Sequence, residues 1–232
     1  QSRASSTAAA AAAAAPGAGA KTMPALKGLG AFSLVGLCRA HVLLGDYRLA
    51  MRVLDPVDID DQRAVFFQVN TSVVQSLFYH LGFAYLMSRR YADALNVFAR
   101  VLTAHRVSKE SATSYAEDQM LTRYDKVVAL AAVAAALSPG IRLDDQVRRI
   151  IADRLDKVLA SAANDSTGAF EEIFNFACPK FVNPARLASA EAAAKAQSQG
   201  QPLLDARREV QRVQLKWFLD EVRQQLSVPT VR

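Results

Sequence analysis

Few side chains in this sequence are of a type and spacing that could do chemistry. Cys38 and His41 stand three residues apart on what reads as one helix face, a spacing a metal ion can use. A structural zinc site needs four ligands, and no second pair accompanies these two, so a core cysteine is the better reading. His80 and His105 have neither a cysteine nor a paired carboxylate nearby in sequence, and read as partly buried or capping histidines rather than catalytic bases. Lys27-Gly28-Leu29-Gly30 completes neither a dinucleotide nor a phosphate-loop pattern. Asp58, Asp60 and Asp61 open a calcium-type loop but lack its glycine at the sixth position and its glutamate at the twelfth. No catalytic residue, cofactor site or metal site is therefore expected.

The remaining candidates are surfaces. Arg208, Arg212 and Lys216, each four residues from the next, form a basic stripe on the last helix, with Trp217 beside it. Glu209, Asp220 and Glu221 dilute that stripe, so a solvated face is its ordinary reading, and core burial competes with an interface role for Trp217. These four residues are the candidate partner contacts. The net charge of +6 is spread along the chain, which is compatible with a ribosome, an RNA or an acidic protein and compels none of them. Cys38 and Cys178 do not make a disulfide framework, which favours a reducing, cytoplasmic setting. The longest apolar run, Val127 to Leu137, is well short of the ~20 residues that span a bilayer.

The elements that must carry these residues read as helices throughout. The chain is 51% hydrophobic, rich in Ala and Leu, and has no alternating stretch bounded by turn signals, so an all-α fold is expected. Phe78 to Leu102 holds two amphipathic segments folded back on each other: Phe78, Leu81, Gly82 and Tyr85 share one face, and Tyr91, Ala94, Leu95, Phe98, Val101 and Leu102 share another. A glycine inside a helix costs about 1 kcal/mol against alanine, so Gly82 is expected to face Ala94 where two backbones approach closely. Phe32, Val35, Gly36, Arg39 and Leu43 mark an earlier helix face, closed at Gly45, after which Asp46 caps a short helix with Tyr47, Ala50, Met51 and Leu54 inward. The order of Tyr, Ala and Phe fits a tetratricopeptide-type hairpin, but Tyr47 and Tyr91 lie 91 − 47 = 44 positions apart, more than the ~34 of a strict array. The expected architecture is an irregular, right-handed helical-repeat arm with a packing seam of Gly36, Ala50, Gly82, Tyr85, Tyr91, Ala94 and Phe98.

Several strings resemble one family. FSLVGLCRAHVLLGDYRLAMRVL at Phe32 to Leu54, GFAYLMSRRYADALNVFARVL at Gly82 to Leu102, FNFACPKF at Phe174 to Phe181 and FLDEVRQQLSVPTVR at Phe218 to Arg232 are together similar to subunit L of eukaryotic translation initiation factor 3. The resemblance implies a PCI-type subunit, a helical-repeat arm followed by a winged-helix module, with no catalysis and no small-molecule substrate. It also implies assembly with other subunits of the PCI/MPN core, K and E among them, on the small (40S) ribosomal subunit, away from membranes. Residues 1–23 read as a low-complexity tail or linker, 24–184 as the repeat domain, 185–201 as an Ala/Ser/Gln-rich insertion, and 202–232 as the helix entering a winged helix that would lie beyond Arg232. Two other readings stay open: a scaffold subunit of the proteasome lid or signalosome, and a basic RNA-binding repeat using Arg89, Arg90 and the Arg208 stripe.

Overall fold

A computed structural model describes residues 24–55, 71–104, 115–164, 166–185, 188–189 and 201–227. The expected tail at 1–23, most of the insertion at 185–201, the acidic link after Asp55, His105 and the calcium-like aspartates lie outside the described residues. Among these, eight helices follow in order: α1 (Pro24–Leu43), α2 (Tyr47–Arg52), α3 (Thr71–Met87), α4 (Tyr91–Ala104), α5 (Tyr115–Leu137), α6 (Asp145–Ala163), α7 (Gly168–Ala177) and α8 (Gln201–Ser227). No strand occurs among the described residues. The molecule is the expected all-α arm of stacked helical hairpins.

Two helices organise the stack. α3 packs on α1, α2, α4 and α5, while α5 packs on α3, α4, α6, α7 and α8. Their composition suits that position. α3 is buried without a break from Leu77 to Ala84, and α5 from Ala129 to Ala134, and a helix apolar all round has no solvent face to present. Alanine combines the highest helix propensity with the smallest side chain, so the α5 run lets neighbours approach on every side.

The turns of the first two hairpins are built alike. At the end of α1 the Asp46 amide donates to His41 O at 2.9 Å and the Gly45 amide to Val42 O at 3.1 Å; at the end of α3 the Arg90 amide donates to Tyr85 O at 2.9 Å and the Arg89 amide to Leu86 O at 3.1 Å. Both are Schellman closures, which need a left-handed residue at the turn. Gly45 supplies it at φ +79°, and Arg89 supplies it at φ +61°. Asp46 then accepts from the Leu49 amide at 3.1 Å and caps α2.

The exposed side of α1 differs from expectation. Its buried face is Val35, Cys38 and Val42, while Phe32 is 46% exposed and nothing lies within 4 Å of a Cβ built on Gly36. α1 carries apolar residues on more than one face, so its periodicity fits two registers, and packing selects the one centred on Cys38. Gly36 is thereby excluded from the seam. Lys27-Gly28-Leu29-Gly30 lies inside α1 and forms no loop.

Candidate interaction surface

The seam forms where α3 meets α4. A Cβ built on Gly82 would collide with the Phe98 ring, lying 2.7 Å from both Cδ1 and Cζ. The expected close approach is therefore to a side chain: Phe98, fully buried, fills the space that Gly82 leaves open. Ala94 and Ala50 are also fully buried, and Tyr85 and Tyr91 are half-buried. Arg90 stacks over the Tyr85 ring at 4.7 Å from its centroid and pairs with Asp93 at 2.7 Å. Arg89 donates to Glu221 at 2.7 Å and to Gln224 at 2.8 Å, tying the second turn to α8. Tyr91 reaches the same Glu221 carboxylate at 3.4 Å.

The segment after α7 is a second junction. Buried Gln214 of α8 donates to Pro179 O at 2.9 Å and accepts from the Phe181 amide at 2.9 Å. The Val182 amide donates to Leu43 O at 2.7 Å, and the Phe181 ring covers Gly45, 2.8 Å from where a Cβ would stand. Tyr79 donates to Ala177 O at 2.5 Å from within the core. Lys180 donates to Phe174 O at 3.1 Å and Asn175 O at 2.9 Å, supplying a cation to the carbonyl end of α7. The strip from Cys178 to Val182 thus fastens the α1–α2 turn to α8. Sequence reasoning did not assign it this role, because its partners lie far away along the chain; the cue was an isolated glutamine on an apolar helix face.

Burial shifts the proton affinity of both thiols and of one imidazole. Burial pushes the Cys38 and Cys178 thiols up to about 12, and a thiol that stays protonated is a poor nucleophile and ligand. His80 is pushed down to about 4, first by burial and then by Arg39, Arg123 and Lys126. Its Nδ1 lies 2.7 Å from Ser76 O, and since a carbonyl only accepts, Nδ1 carries the proton.

Of the candidate contacts on α8, Arg208, Arg212 and Lys216 are exposed along one stripe, with Arg208 3.8 Å from Asp205. Trp217 is 61% exposed, so the core reading fails for it; the adjacent Phe218 is the one that enters the core, stacking against Phe174 at 5.4 Å. Val213, one turn before Trp217, is 37% exposed, and both border a groove with Phe181 and Val210. A second apolar face, missed by the sequence reading, runs along α1 through Leu29, Phe32 and Leu37. Because a terminal repeat in a stable isolated stack is polar outward, an apolar outer face suits contact with another helix.

Over residues 2–232 the sequence matches the family described as RNA polymerase I-associated factor PAF67. It is 36% identical over 214 residues to the protein named eukaryotic translation initiation factor 3 subunit L from Culex quinquefasciatus, and equally so to that from Aedes aegypti. The same-named protein of Anopheles gambiae is 34% identical over 210 residues. Each match covers 89% of this chain and 36% of the relative, so the chain spans about a third of the length of the curated relatives it matches. With its whole length matched and its helical arm in place, the chain belongs to the PAF67 family, whose curated members here carry the name eukaryotic translation initiation factor 3 subunit L.

Proposed function

We propose that the chain is the helical arm of a non-catalytic scaffold subunit of eukaryotic translation initiation factor 3, helping to assemble that factor on the small ribosomal subunit in the cytoplasm. The carrying observation is the 36% identity to proteins of that name across 89% of the chain. One feature supports a scaffold role: exposed apolar residues sit on α1 and α8. Subunits K and E of the PCI/MPN core are the proposed neighbours. α8, packed on α5 and α7, is read as the arm's closing helix and as the lead into a winged-helix module.

The relatives' names favour this reading over the proteasome lid or signalosome. RNA binding through Arg89 and Arg90 is disfavoured, since Glu221 and Asp93 already neutralise their charges. Among the described residues no helix is long and apolar enough to cross a membrane. Purification of the tagged full-length protein tests the proposal: initiation factor 3 subunits and small-subunit ribosomal proteins should accompany it. Lid ATPases, or RNA polymerase I subunits without initiation factors, would overturn it.

A further inference from the structure

A polar cavity of about 170 Å³ opens between α1, α3 and α5, and the scaffold role makes no use of it. Three cations line it: Arg39 from α1, and Arg123 and Lys126 from α5, with His80 and Ser76 of α3 between them. Among the described residues no carboxylate lines it. Arg39 and Lys126 make no hydrogen bond or ion pair among the described residues. Arg123 is held in place, its Nη1 donating to Ser72 O at 3.2 Å and Ser72 Oγ at 3.3 Å. The like charges add to the effect of burial: burial first and then Arg39 lower the proton affinity of Arg123, and burial first and then all three cations lower that of His80. Gathered cations without an acid repel, and an arriving anion relieves that repulsion.

We propose that this cavity binds the phosphate monoester of a phosphorylated serine or threonine on a partner protein, held by Arg39, Arg123 and Lys126 with the Ser76 hydroxyl. The cavity is smaller than the ~300–1,000 Å³ of pockets that enclose a drug-sized molecule, so it accepts one group presented from outside. A phosphorylated side chain brings a charge of about −1.5 to −2 and three acceptor oxygens, a match to three converging cations. RNA is favoured less, because a strand needs a groove that follows successive phosphates and aromatic faces for its bases. Tyr79, the only phenol lining the cavity among the described residues, is buried with its hydroxyl committed to Ala177 O. This inference does not depend on the initiation-factor reading.

Calorimetric titration of the full-length protein tests it, with N-acetyl-phosphoserine amide, its unphosphorylated twin, a nucleoside 5′-monophosphate and a single-stranded RNA lacking terminal phosphates as probes. The phosphoserine derivative should bind saturably in the millimolar range, and its twin should not bind. Affinity should fall at least about tenfold, ~1.4 kcal/mol, in Arg39→Gln and in Lys126→Gln, neither of which empties a core position. Absence of saturable binding, unchanged affinity in both folded variants, or tighter binding of the nucleotide or the RNA would each overturn the proposal.

Discussion

At the scale of single residues, Gly82 and Phe98 behave as one unit, because the ring occupies the space where any other residue would carry its Cβ. Gly82→Leu should overpack that contact and destabilise the protein by about 1–3 kcal/mol. Thermal melting reads this directly, at roughly 2–4 °C per kcal/mol for a domain of this size. Gly82→Ala combined with Phe98→Leu should lose less than the sum of the two single changes, and strict additivity would contradict the ring-for-Cβ account. His80 gives a pH prediction. Its pKa is about 4 when folded and 6.5 ordinarily, so between these values the unfolded chain binds more protons, and stability rises with pH across that window. Roughly 3 kcal/mol is present above pH ~6.5 and lost as pH falls towards ~4. Denaturant titrations of the wild type and of His80→Gln should show this slope in the first and its absence in the second.

At the scale of elements, the junction from Cys178 to Val182 rests on Gln214. Gln214→Leu would leave Pro179 O and the Phe181 amide without their partner, and should cost on the order of 2–4 kcal/mol. Gln211→Leu, on a more exposed position of the same helix, should cost little; equal melting losses would place the effect in α8 itself instead of the junction. The first hairpin turn and the apolar run of α5 were legible in the sequence, because Gly45, Asp46 and the stretch Val127 to Leu137 are local signals. The facing of α1 was not. A helix with apolar residues on several sides offers more than one register, and only the neighbours α2 and α3 decide between them, which is why Gly36 was expected inside and lies outside. The fastening role of Gln214 was hidden for a related reason: its partners are more than thirty residues away in sequence.

At the scale of the whole molecule, the core is continuous through α3 and α5, while exposed large apolar side chains sit on the surrounding helices, Leu29, Phe32 and Leu37 on α1, Leu49 on α2, Leu159 on α6, Phe176 on α7 and Trp217 on α8 among them. That distribution suits an arm whose stability comes from stacking and whose specificity comes from what its outer helices meet. Aromatic side chains dominate interface energetics out of proportion to their number, so one substitution at the exposed Trp217 should matter more than several in the basic stripe. The most direct measurement is quantitative mass spectrometry of complexes purified through the tagged full-length protein, comparing the wild type with Trp217→Asp and with Phe32→Asp. The account predicts that initiation factor 3 subunits are recovered with the wild type and depleted at least about tenfold, ~1.4 kcal/mol, with one or both variants, whose melting temperatures stay unchanged. Wild-type recovery with both variants, or no initiation factor 3 subunits with the wild type, would contradict it.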